Sequence, residues 1–293
     1  MRIRYEEKTF EGYFNIELAN CADVYFPLGQ VQEGSIGADA VALTRNRWLW
    51  RRLGHPYWFR LKYQGLPFRE IAEEMECFLE KEIGNIPDIK VNVFFQYKRS
   101  EYLTSTQASE WAHWLRPYFR YDICREQQAL LEHLNSKFQK SVLILYAAPA
   151  LQDVNELVDY HCNRKIVAHT NFRPATDLAG HGKNTFAEAG THSWACSEPV
   201  RHEYFDLLGN LREQRSPDQK NSESIIALSK GVSEVLLESS LAQAFLALVE
   251  QYGISQIERS LPLLNAHFVM AAFREITGVQ WVASVSSPRE SDA

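Results

Sequence analysis

The sequence predicts an α/β protein in which a β-sheet carries helices on both faces and a C-terminal helical region follows. Three observations lead there. Ser141–Ala148 (Ser-Val-Leu-Ile-Leu-Tyr-Ala-Ala) is a continuous apolar run, as in a central strand covered on both sides. Val91–Arg99 alternates with period two, so Val91, Val93, Phe95 and Tyr97 share one face and Asn92, Phe94, Gln96 and Lys98 the other. Segments of helical period separate these strands, and that interleaving is the mark of an α/β sheet.

Taken in order, residues 6–19 place Phe10, Phe14 and Leu18 four apart and predict a helix, although Gly12 weakens it by about 1 kcal/mol relative to alanine. Glu7 and Glu11, also four apart, lie beside that face. Val24-Tyr25-Phe26 is β-rich, Gly34–Gly37 has turn chemistry, and Ala38–Leu43 reads as a second strand bearing Asp39. A helix over 69–83 buries Ile71, Met75, Phe78, Leu79 and Ile83. After the strand at 91–99 come helices over 105–116 and 124–139, the strand at 141–148, a helix over 152–160 and a strand at 165–172. Residues 173–215 are rich in Gly, His and Ser and carry no clear period. Arg215–Ser222 is a polar linker, three helices follow at about 223–238, 240–252 and 262–277, and the residues from Ser286 onward read as frayed.

Composition narrows the function classes. Of 293 residues, 45% are hydrophobic and 23% charged, as in an ordinary globular protein. No apolar run reaches the length of a membrane span, and Glu6-Glu7 stand where a signal peptide needs apolar residues, so a cytoplasmic location is expected. Cys21, Cys77, Cys124, Cys162 and Cys196 are scattered and form no CxxC pair, which speaks against a disulfide framework. The net charge of −6 counts against wrapping nucleic acid, yet the charge is segregated. Ala40–Arg69 holds Arg45, Arg47, Arg51, Arg52, Arg60 and Lys62 with no acidic residue, interleaved with Trp48, Trp50, Trp58 and other aromatics. Arginine beside aromatics suits phosphate contact and base stacking. The competing reading keeps the aromatics in a core and the arginines in solvent.

Two weaker patterns are set aside. Gly180–Thr185 lacks the glycine a phosphate loop needs at Asp177 and the hydroxyl residue it needs at Asn184. His161, Cys162, His169, His181, His192 and Cys196 offer zinc donors without paired spacing.

Asp39, Gln96 and Lys98 remain. Phosphodiester hydrolysis needs neutralised phosphate oxygens, an activated water and a protonated leaving oxygen, and Mg²⁺ (or Mn²⁺) supplies much of this. Mg²⁺ takes hard oxygen ligands and keeps several waters, so one or two carboxylates and a carbonyl suffice. An aspartate on one strand and an oxygen-then-lysine pair on its neighbour place these groups at one sheet edge. The competing roles are an Asp39 that closes its own turn and a Lys98 that reaches solvent beside Glu101.

Gly37-Ala38-Asp39 followed by Phe95-Gln96-Tyr97-Lys98 resembles the core of the restriction-endonuclease-like PD-(D/E)xK nucleases, in the variant with glutamine at the ExK glutamate position. The resemblance covers about residues 5–170 and implies a curved mixed sheet with helices. It implies a Mg²⁺-dependent DNA endonuclease of a restriction or anti-phage defence system, with Asp39 and Gln96 as metal ligands and Lys98 positioning water. Members often carry a helical glutamate before the first strand, a place Glu11 fits as catalytic residue and ligand. The separation of 57 positions from Asp39 to Gln96 then holds an insertion, about 45–85, whose arginines grip DNA. The nuclease domain is expected over 1–214 and the helical region over 223–293. Other defence subunits are expected partners, a homo-oligomer is compatible, and a catalytically inactive binding or scaffold subunit is the alternative.

Overall fold

The computed structural model describes residues 5–25, 68–251 and 261–286. Asp39 and its strand, together with Arg45, Arg47, Arg51, Arg52, Arg60 and Lys62, lie outside the described residues. The described chain is a mixed α/β protein with two mostly antiparallel sheets flanked by helices. In the first sheet the order is β1 (Val24–Tyr25), β10 (Gln280–Val285), β2 (Ile89–Tyr97), β5 (Val142–Pro149), β6 (Thr170–Pro174). Only β2 and β5 run parallel. The second sheet is antiparallel throughout, in the order β3 (Glu101–Leu103), β4 (Tyr118–Asp122), β7 (Lys183–Phe186), β8 (Ser193–Cys196), β9 (Val200–His202).

A parallel pair needs a crossover. Here it runs through β3, β4 and the helix α4 (Arg125–Phe138). The alternation in β2 works as the sequence predicts. Val91, Val93, Phe95 and Tyr97 pack on Phe10, Phe14 and Leu18 of α1 (Glu7–Cys21). Phe94 turns the other way and meets Phe273 of α9 (Pro262–Thr277) edge-on, with ring centres 5.6 Å apart. Each such side chain removed from water contributes about 1.5–3 kcal/mol. A bulge breaks the alternation once: Ser284 pairs with Val91 but Val285 with Ile89, so Lys90 is the extra residue and Ile89 joins the Phe94 side.

On the Phe94 side, α2 (Phe68–Asn85), α4, α7 (Asn221–Leu237) and α9 share one core with the second sheet. The C-terminal helices are therefore a cover on the sheet. Glu76 of α2 accepts from the backbone N–H groups of Leu263 and Leu264 at 3.0 and 2.7 Å, which satisfies donors that the first turn of α9 leaves open. At the other end Gly278 takes the left-handed conformation (φ 70°) and sends the chain straight into β10.

Several elements differ from the sequence reading. The helix expected over 105–116 shrinks to α3 (Trp111–Trp114), because Pro117 biases the residue before it away from helix and Leu115 turns left-handed (φ 52°). The strand expected at 165–172 begins only at Thr170. Before it, the N–H groups of Ile166 and Val167 point to the Glu17 carboxylate of α1, at 2.7 and 3.0 Å, instead of to a sheet. Residues 173–215 supply β7, β8, β9 and the short helix α6 (Leu207–Glu213), and β10 is absent from the sequence reading altogether. Between β5 and β6 lies α5 (Val154–Cys162), capped by the Asp153 side chain. The helix α8 (Ala242–Gln251) completes the described elements. No described helix is long and apolar enough to cross a membrane.

Candidate functional site

β2 ends where Tyr97 gives way to Lys98, whose backbone N–H still bonds Ala147 O of β5 at 3.0 Å. The ladder thus holds Lys98 in strand geometry, and its side chain projects on the same face as Gln96. The carboxyl end of a parallel strand is where open α/β sheets tend to place ligands.

One side chain from α4 joins the pair. Lys98 Nζ donates to Gln127 Oε1 at 2.9 Å, and Gln127 Nε2 donates to Gln96 Oε1 at 2.5 Å and to Thr277 O at 3.2 Å. An ammonium only donates, so it fixes Gln127 with its oxygen toward Lys98 and its amide hydrogens toward Gln96. Gln96 is fixed in turn: its oxygen faces Gln127 and its Nε2 donates to Tyr97 O at 3.0 Å. The orientation of two amides follows from one lysine charge.

The lysine sits in a partly dry place. Nζ lies 5.6 Å from the centre of the Tyr146 ring, and Tyr146 is the direct cross-strand partner of Gln96. Burial pushes the Lys98 pKa below the ordinary lysine range, against the opposing pull of Glu7, Cys124 and Asp122. Burial pushes the Glu7 carboxyl upward, while Lys98 and the N–H of Arg99, which Glu7 accepts at 3.2 Å, hold it down. Tyr146 donates to Gln128 Oε1 at 2.8 Å, and Gln128 is anchored to Ala175 O at 2.8 Å.

The residues expected to share the site fare differently. Gln96 and Lys98 come together as the spacing predicts. Glu11 lies beside Tyr97, whose pKa its charge helps to raise. Its carboxylate bonds Arg274 Nη2 at 2.6 Å and Lys8 Nζ at 2.9 Å. The carboxylate of α1 that faces Lys98 is instead Glu7, one turn earlier. The sequence reading also brings Asp39 in on the strand next to β2. β2 is paired with β10 over 89–95 and with β5 over 92–97; Asp39 and the strand expected to carry it lie outside the described residues. No protein-family model, curated protein or solved structure gives a significant match to this chain. The site's meaning therefore rests on its own geometry.

Among the described residues no three His, Cys, Asp or Glu side chains stand close enough together to hold a metal ion. The zinc donors considered above are dispersed. His161 stacks on Tyr13, His169 on Tyr160 and His192 on Trp114, with ring centres 3.9, 4.1 and 5.0 Å apart. An open cleft of about 520 Å³ lies nearby, between α5 and the second sheet, lined by Tyr102, Arg116, Glu156, Tyr160, His169 and Glu188 among others. Lys98 is not part of its wall. What the sequence reading missed is the far end of the same sheet face, where Asn171 and Arg173 repeat the amide-then-base spacing of Gln96 and Lys98.

Proposed function

We propose that the chain is a metal-dependent phosphodiester hydrolase acting on DNA, of the restriction-endonuclease-like PD-(D/E)xK type and serving a restriction or anti-phage defence system. The observation that carries this reading is Lys98: a lysine at the carboxyl end of a buried strand, two residues after an amide oxygen, with its pKa lowered by burial. A water or phosphate oxygen beside Nζ would meet a positive charge that is poorly hydrated and therefore strongly felt. Gln127 keeps the ammonium aimed, and Gln96 keeps its oxygen at the same strand end.

The described residues go part of the way toward a Mg²⁺ site. Gln96 offers an amide oxygen with a second lone pair beyond the one Gln127 uses, and Glu7 offers a neighbouring carboxylate. These two fall short of a divalent site alone, and the reading needs Asp39 as the principal ligand, with Mn²⁺ as an alternative ion. The ion would neutralise the phosphate oxygens; the chain's own part is to hold Lys98 charged and oriented. Arg45, Arg47, Arg51, Arg52, Arg60 and Lys62 would hold the DNA backbone, and other defence subunits or a second copy would restrain the activity.

A specific observation favours a second reading, a catalytically inactive binding or scaffold subunit. Gln96 carries no charge and is already bonded, and Glu11 is spent on Arg274 and Lys8. Incubating plasmid DNA, and RNA in parallel, with the wild type and with Lys98→Ala in Mg²⁺ or Mn²⁺ separates the two. The hydrolase reading expects metal-dependent cleavage that the variant loses by about 100-fold or more. It fails if the wild type leaves both substrates intact, or if the variant cleaves as well as the wild type.

A further inference from the structure

Beyond Tyr146, the polar row on this face of the first sheet ends in a charged group that the proposed hydrolase does not use. Arg173 of β6 is the direct cross-strand partner of Tyr146 and is 2% exposed. Its Nη1 is engaged, donating to Glu203 O at 2.8 Å and to Asp177 Oδ2 at 3.4 Å. Its Nε and Nη2 are buried without a hydrogen-bond partner among the described residues. Those two N–H groups lie parallel on one edge of the guanidinium and form the fork that grips two oxygens of an anion.

The surroundings continue the theme. Asn171 stands two residues before Arg173 on the same strand and face, and its Nδ2 also lacks a partner among the described residues. On the second sheet, Tyr121 of β4 and Asn184 of β7 are cross-strand partners, both buried, and Asn184 Nδ2 reaches Asn171 Oδ1 at 3.5 Å. The Tyr121 hydroxyl and the Asn184 Oδ1 have no partner that meets hydrogen-bond geometry, although the Asn184 amide lies close enough to act on the hydroxyl. The Arg173 charge acts directly on Tyr121 and on His202, whose Nε2 is buried and unpaired as well. Most of these groups are donors. Leaving so many unpaired is costly, above all around a buried guanidinium.

We propose that this cluster of unpaired buried polar groups, where the two sheets face each other, binds a phosphate group, free or as the terminal phosphate of a nucleotide, held by the Arg173 fork with Tyr121 and Asn171. Donors arriving from both sheets suit a tetrahedral anion with three or four oxygens better than a planar carboxylate. Asp177, which offsets part of the guanidinium charge, and His202 are 31% and 19% exposed and form the way in. The site is independent of the hydrolase reading, since neither Gln96 nor Lys98 contributes to it.

The test is a titration of the full chain with inorganic phosphate and, separately, adenosine monophosphate, at ionic strength matched with NaCl. Thermal midpoint and calorimetric heat are the readouts. The expected result is a saturable, phosphate-specific rise in the midpoint. Tyr121→Phe and Asn171→Asp should each weaken binding about tenfold, and Arg173→Lys, which keeps the charge but loses the fork, should abolish it. Tighter binding of one ligand assigns the source as free phosphate or nucleotide. A midpoint that follows ionic strength alone for both ligands overturns the proposal, as do Tyr121→Phe and Asn171→Asp proteins that bind like the wild type. Should Arg173→Lys fail to fold, those two variants still decide.

Discussion

The Lys98 ammonium stands 5.6 Å from the centre of the Tyr146 ring, so an aromatic face shields one side of a charge that Gln127 binds on another. A compact ammonium suits this niche. A guanidinium is longer and planar, and would have to leave either the ring or the glutamine. Lys98→Arg should therefore fail to restore the activity lost in Lys98→Ala, with cleavage at least about 100-fold below wild type in the plasmid assay. Arginine restoring near-normal cleavage would mean that charge alone matters at this position.

Gln127 should be as informative as the residues it joins. Gln127→Leu removes the acceptor of Lys98 and the donor to Gln96 at once, and leaves Thr277 O without that bond. Cleavage should fall by about tenfold or more while the thermal midpoint drops only modestly, about 1–2 kcal/mol in stability. Equal activity in wild type and variant would show that the bridge is ornamental.

Lys98 also makes stability depend on alkali. Its folded pKa is lowered from 10.5. Between the folded and the unfolded value the unfolded chain binds more protons, so stability rises with pH across that window. Below the folded value the penalty of holding the charge is fully present. Urea midpoints of wild type and Lys98→Met, compared from about pH 8 upward, should converge as pH approaches about 10.5. A constant gap across that range would remove the case for a strained ammonium.

The Glu11–Arg274 pair should be structural. Arg274→Ala leaves Glu11, whose side chain is 6% exposed, with only Lys8, and should cost about 2 kcal/mol. Combining Glu11→Gln with Arg274→Met should recover part of that loss, since the double variant removes both charges together. If Glu11→Gln instead abolishes cleavage at unchanged stability, Glu11 belongs to the chemistry after all.

Gly231 of α7 should tolerate no side chain. A Cβ there would come within 2.5 Å of the Phe138 ring at the end of α4. Alanine gains about 1 kcal/mol of helix propensity but loses about 1–3 kcal/mol to the clash, so Gly231→Ala should be destabilised overall. Phe138→Leu in the same chain should relieve it, measured by denaturant unfolding.

Much of the central sheet was legible because its signals are local. The run at 141–148 and the alternation in 91–97 say on their own where the strands lie and which side chains share a face. The pairing of Gln96 with Lys98 follows from strand period alone. What the sequence conceals depends on contacts far along the chain. Glu17 takes the N–H groups of Ile166 and Val167 out of a strand they resemble. Glu7 stands beside Lys98, while Glu11, one turn on, is bonded by Arg274 from α9. The cluster of buried polar groups around Arg173 needs two sheets at once, and the strands of the second sheet are too short to announce themselves. The second described neighbour of β2 is β10, a strand near the end of the sequence that no local signal in β2 announces.

That strand, β10, has a consequence for how the molecule is made. Trp281 donates its indole N–H to Asn92 across 189 positions of sequence. At about 5–20 residues per second, a ribosome takes roughly 10–40 s to travel that distance. Throughout this interval residues 89–95 of β2 lack the partner strand that β10 supplies in the folded chain. Synthesis itself therefore delays completion of the first sheet until the chain has been translated past β10.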